Sequence, residues 1–168
     1  MTLILNNEEI ETVFTLEECF DVLESGLRDL GNGSAVSMPR QDLLVPGPLD
    51  ASYHGLKASC ASLPRSGVTT MRLTSDILTW PIVGGRKRRV KVPLAVGSRY
   101  VGLVFVFSTT TGELLAILPD GFIQAIRVGV TNALSAKYMA RPDCSVLAVY
   151  GSGWQARPAV LALGKGFA

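Results

Sequence analysis

Hydrophobic positions recur with two different periods along this chain. Over residues 16–30, Leu16, Phe20, Leu23, Leu27 and Leu30 fall three or four apart, which predicts an amphipathic helix with one apolar stripe. Thr15 stands before it with Glu18 three residues on, the spacing of a capping box, and Asn6 with Glu9 repeats that spacing after the short apolar run Leu3–Leu5. Glu24 and Arg28 pair across the outer face at i, i+4. Gly31 is expected to close the helix in a left-handed conformation.

From about Val36 to Leu78 the period shortens. "VSMPRQDLLV", "SYHGLKASCASL" and "VTTMRLTSDIL" read as strands punctuated by "PGPLD" and "PRSG". "TWPIVGGRKRRVKVP" reads as a loop or an edge hairpin, because Pro81, Gly84, Gly85 and Pro93 disqualify a central strand. "YVGLVFVFSTTTGELLAIL" predicts a hairpin turning at Gly112. In "PDGFIQAIRVGVTNALSAKYMARPD" helical spacing returns, with Phe122, Ile126, Val130, Leu134 and Tyr138 on one stripe and Gln124, Arg127 and Thr131 on another face. "SVLAVY" then reads as a strand buried on both faces of a parallel sheet. The fold class is therefore α/β: a mixed-sheet domain over residues 1–118, a connecting helix over 119–143, and the first β-α unit of a Rossmann fold over 144–168.

Composition narrows the function classes. The chain has 168 residues, 48% hydrophobic and 18% charged, with a net charge of +2, which is ordinary globular usage. That charge does not imply a nucleic-acid or membrane partner, and the longest apolar run is too short to span a bilayer. Cys19, Cys60 and Cys144 are widely spaced and odd in number, so they are expected to be reduced core thiols in a cytoplasmic protein. With the single His54 they offer no metal spacing, and His54 has no acid partner that would make it catalytic. The "RKRRVK" cluster, residues 86–91, could neutralise phosphates, but its Gly/Pro-flanked setting without aromatics reads as a solvated loop.

The chemistry-bearing motif is Gly151-Ser152-Gly153-Trp154-Gln155-Ala156. It fits G-x-G-x-x-G/A between a predicted strand and a predicted helix. The first glycine makes the turn, the second admits a pyrophosphate to the backbone, and the helix N-terminus receives its charge. Trp154 is placed either to stack near the cofactor or to pack. A complete site needs an acidic residue about twenty positions on to hold the ribose, yet no Asp or Glu follows Cys144. The remainder of such a unit is expected beyond Ala168.

The run "GELLAILPDGFIQAIRVGVTNALSAKYMARPDCSVLAVYGSGWQA", with "SMPRQDL" and "VTTMRLTSDI" upstream, resembles the amino-terminal half of the ornithine cyclodeaminase/mu-crystallin family. The resemblance implies a two-domain protein using NAD or NADP. A dimerising sheet domain would hold the carboxylate of a small amino or imino acid, and hydride transfer at Cα would serve a reductase, a dehydrogenase or a redox-neutral cyclodeaminase. It implies that Arg40 clamps the substrate carboxylate and that Arg127 is a second active-site arginine. Where many members carry a lysine after the strand matching "VTTMR", this chain has Arg72, and Lys57 is the candidate to substitute for that lysine in space. Val128 stands where a threonine is usual, and the family's catalytic aspartate falls beyond Ala168. The chain is expected to be a fragment of such an enzyme, inactive on its own, or alternatively a non-catalytic dimerisation or small-ligand-binding module. In either case the chain alone is expected to bind dinucleotide weakly or not at all.

Overall fold

The computed structural model describes residues 1–97 and 100–166. The chain divides into two compact units that are not consecutive in sequence. Residues 1–5 and 34–120 form the first. Residues 6–33 join residues 121–168 in the second, so the helices of the amino-terminal segment do not fall with the sheet, as a sequential partition at 118 and 143 would have them.

The first unit is a mixed sheet, eight strands among the described residues. Its centre is a long antiparallel pair, β4 (Tyr53–Leu63) and β5 (Val68–Thr79), joined by a tight turn that ends at Gly67 with φ +70°. On one side of β4 lie β2 (Val36–Ser37) and β3 (Gln41–Pro46). On the far side of β5, β9 (Val101–Ser108) pairs along residues 68–75 and β8 (Val90–Val92) along residues 77–79. The hairpin of β9 and β10 (Leu114–Pro119) forms as its alternation predicts, with Gly112 at φ +75°. Parallel pairing of β1 (Leu3–Ile4) with β10 completes the sheet. The Gly/Pro-rich segment forms the small hairpin of β6 (Ile82–Val83) and β7 (Arg86–Lys87), turning at Gly84 and Gly85, and its cations are exposed.

The second unit is helical. Both capping boxes are present: Asn6 with Glu9 opens α1 (Asn7–Val13), and Thr15 with Glu18 opens α2 (Leu16–Gly31). Asn7 Oδ1 also accepts from the Phe122 N–H, in the first turn of α3 (Asp120–Met139). The core joins Cys19 of α2, Val130, Ala133 and Leu134 of α3, and Ala162 of α4 (Ala156–Gly166), with Leu16, Phe20 and Leu23 packed against it. At Gly129 an added Cβ would lie 2.4 Å from the Pro158 carbonyl oxygen, so α3 and α4 touch there through bare backbone.

Several expectations need correction. Residues 144–150 form no strand and are exposed. A buried parallel strand is held by ladder bonds on both edges, and the described residues of this unit offer no neighbouring strand. Val146, Leu147, Val149 and Tyr150 are consequently left exposed. Gly31 remains helical, and the left-handed residue is Gly33, at φ +81°. The α2 stripe is covered only over its first turns, since Leu27 and Leu30 are exposed. Cys19 is a core thiol, whereas Cys144 is exposed.

Candidate functional site

In the sheet, cross-strand register decides which side chains meet. Asp42 stands opposite Lys57, Lys57 opposite Thr74, Gly55 opposite Asp76, and Ser59 opposite Arg72. Because successive residues alternate across a pleated strand, Asp42, Lys57, Arg72, Thr74 and Asp76 share one face. Lys57 Nζ donates to Asp76 Oδ2, and both side chains are buried, 7% and 2% exposed. Lys91 Nζ of β8 lies 2.9 Å from the same oxygen. Gly55 makes the room. A Cβ there would come within 3.1 Å of Leu44 and Leu78 and 3.8 Å of Lys57 Nζ.

The electrostatics follow from that burial. Removal from water disfavours a charged carboxylate and is the largest influence on Asp76. The hydrogen bonds and charges of Lys57 and Lys91 together outweigh it, holding Asp76 below the ordinary carboxylate range. Asp76 also borders a cavity of about 160 Å³ whose described lining includes Ser75, Val92, Tyr100 and Val101. It sits where β9 has ended its pairing with β5 and β8 has not begun.

Two candidate arginines belong to this unit. Arg72 donates from Nε to both Asp120 oxygens at 2.8 Å and from Nη2 to Oδ2 at 2.5 Å, so its fork is matched to a carboxylate of its own chain. Asp120 is 4% exposed, and Gly102 admits it: a Cβ there would lie 2.8 Å from Asp120 Cβ. Arg40 precedes β3 and grips Asp42 from Nε at 2.6 Å and Nη2 at 3.0 Å, on the surface. His54 is bonded to Ser75 Oγ at 3.0 Å, on the opposite face.

The second unit carries the other candidates. Arg127 is half-buried on α3, where its charge acts on Cys19, whose thiol is pushed up chiefly by burial. The hexapeptide Gly151–Ala156 leads directly into α4. Gly151 has φ +96°, and Cβ atoms built at Gly151 or Gly153 would meet nothing within 4 Å. Both glycines thus face open space, as a backbone-bound pyrophosphate requires. Ser152 and Trp154 are exposed, and the buried Gln155 side-chain amide has no hydrogen-bond partner among the described residues. The Ala156 N–H is already donated to the Gly153 carbonyl, at 2.9 Å. Pro158 stands in the first turn of α4, where its missing N–H costs little.

A profile of the ornithine cyclodeaminase/mu-crystallin family matches residues 73–168. The chain belongs to this family. It is 35% identical over 162 residues to an uncharacterized cyclodeaminase, y4tK, of Sinorhizobium fredii, covering 95% of this chain and 44% of that protein. It is 27% identical over 164 residues to an alanine dehydrogenase of Archaeoglobus fulgidus, covering 92% of this chain and 42% of that one. An archaeal alanine dehydrogenase dimer solved with bound NAD superposes with a TM-score of 0.77 at 25% identity, over 99% of this chain and 46% of the other. The chain thus spans less than half the length of these relatives. Among the described residues, no helix is long and apolar enough to cross a membrane.

Sequence pattern nominates none of Asp42, Asp76, Lys91 and Asp120 as a site residue, and Lys91 enters only as part of the basic cluster 86–91. Their signal was period-2 alternation: in "MRLTSDIL", Arg72, Thr74 and Asp76 take the same face as the wholly buried Leu78. Polar residues on a buried strand face need partners.

Proposed function

We propose that this chain supplies the carboxylate-binding sheet and the first phosphate turn of an NAD(P)-dependent amino-acid or imino-acid oxidoreductase or cyclodeaminase. The observation that carries the reading is the Lys57 ammonium. It is buried and has three donors, and among the described residues Asp76 is its partner. An anionic ligand satisfies the remaining donors better than water-free protein does. Arg40, whose pair with Asp42 is exposed and exchangeable, is the bidentate clamp on the same carboxylate. Arg72 has its fork filled by Asp120, so in this reading it shapes the face; Arg127 is the candidate arginine of the helical unit.

The glycines of 151–156 and the orphaned Gln155 amide suit a dinucleotide phosphate, which would bring hydride exchange at Cα of the substrate. The residues Gly151, Ser152, Gly153, Trp154, Gln155 and Ala156 would hold its diphosphate. Binding by the chain alone is expected to be weak, because no acidic residue after Cys144 can hold the ribose. A cytoplasmic location is part of this proposal, in keeping with three free thiols.

Titration of the chain with L-alanine, followed by amide chemical shifts, tests the assignment. Millimolar binding lost in Lys57→Met supports it, and identical shifts and affinity in that variant overturn it.

A second reading, a homodimeric or small-ligand-binding module without catalysis, has its own support. Leu43, Val45, Met71, Val101 and Leu103 are exposed on the sheet face opposite Lys57. A second copy covering that face removes the apolar surface from water. Sedimentation of the chain as a monomer across the micromolar range would count against it.

A further inference from the structure

Among the described residues, charged groups on the Lys57 face form three clusters. Arg40 with Asp42 is a neutral pair, and so is Arg72 with Asp120. The third group is unbalanced: Lys57 and Lys91 share Oδ2 of the single carboxylate Asp76. The excess positive charge of this face therefore comes from Lys91. Lys91 reaches the buried oxygen from β8 while its own side chain remains 47% exposed.

We propose that Lys91 is a positioning residue for Lys57: by sharing Asp76 it keeps the site a net cation and leaves the Lys57 ammonium for an incoming carboxylate. A carboxylate oxygen divided between two ammonium groups holds each less tightly than it would hold one. Without Lys91 the whole charge of Asp76 falls on Lys57, and a ligand carboxylate meets a neutralised ion pair. With Lys91 in place, the ligand carboxylate completes a balanced set of two cations and two anions. The groups facing Lys57 from the neighbouring strands are Asp42 on β3, already gripped by Arg40, and Asp76 on β5. Neither supplies the missing balance. The ligand class rests on the reading of Lys57 given above, whereas the sharing of Asp76 does not.

Two measurements on the full chain separate these. In the ligand-free protein, the Lys57 Nζ resonance in a lysine-side-chain nitrogen–proton spectrum reports how Asp76 is divided. It is expected to shift in Lys91→Met and to return in Lys91→Arg, which keeps the cation. A resonance unmoved by Lys91→Met overturns the proposal whether or not any ligand binds. The second measurement titrates L-alanine against L-alaninamide, which lacks the anion. Loss of the Lys91 charge is expected to weaken alanine about tenfold, to leave alaninamide unaffected, and to be rescued by Lys91→Arg. Equal weakening of both ligands, or an arginine variant as weak as the methionine variant, would assign Lys91 a merely structural role. A shifted resonance together with alanine binding indifferent to Lys57→Met would sink the substrate reading alone.

Discussion

Each unit of this protein contains a carboxylate gripped by several partners. In the sheet Asp76 takes Lys57 and Lys91. In the helical unit Glu24 takes Arg28 at 3.3 Å, Lys137 at 3.0 Å and the Tyr138 hydroxyl. Both carboxylates are held below their ordinary range, but for different reasons. Asp76 is ionised against a dominant cost of burial. Glu24 is lowered first by the Tyr138 hydrogen bond and then by that of Lys137, and burial opposes them less than either contributes. The number of partners is thus a poor guide to what a carboxylate does for its fold. The medium decides, because attraction is strong and loss of a partner severe only where water cannot replace it.

The largest expected effect is at Asp76. Asp76→Ala strands the Lys57 ammonium in a buried site, and removing one partner of a buried pair costs about 3–5 kcal/mol. The double variant with Lys57→Met should recover most of that loss, since an apolar replacement of a buried pair is often neutral. Urea unfolding of the two variants checks this. A single variant losing under about 1 kcal/mol, the range of exposed pairs, would erase the contrast between the two carboxylates.

Acid is a gentler probe of the same difference. Asp76 has a folded pKa below its unfolded value, so the unfolded chain takes up the proton first as pH falls. The stabilisation is present above about pH 4, the ordinary aspartate range, and is lost as pH drops through the lower folded value. Melting temperature should fall below that point in roughly 1 M salt as it does in dilute buffer, because buried charges are little screened. Asp76→Asn should flatten the slope. An acid slope that survives in this variant would have to come from other carboxylates.

Much of the fold was legible because its causes are local. The capping boxes at Asn6 and Thr15, and the hairpin turning at Gly112, depend on residues within a few positions of one another. The misread segment 144–150 has an apolar run as good as many strands. Strand formation, however, is a property of pairs, and a single sequence does not say whether a neighbour is present. The ion groups were hidden for a related reason. Lys57 meets Asp76 across 19 residues and Arg72 meets Asp120 across 48, by a register fixed only when β4, β5 and β9 assemble. Lys57 and Arg72 were nominated individually, and the acids that hold them were not.

The smallest effect is expected at Glu24. Its cluster borders an open groove of about 540 Å³ lined by Leu27, Leu134 and Met139, so water is available to every partner lost. Glu24→Gln keeps an acceptor for Tyr138 and removes the charge seen by Lys137 and Arg28. Exposed pairs of this kind gain little, because ordering two long side chains offsets a screened attraction. Melting temperature should therefore change by no more than the error of a thermal scan, and any change seen in dilute buffer should vanish on adding salt. A salt-resistant loss as large as that of Asp76→Ala would show that the helical surface excludes water as well as the sheet face does, and the distinction drawn from burial would fail at its weaker end.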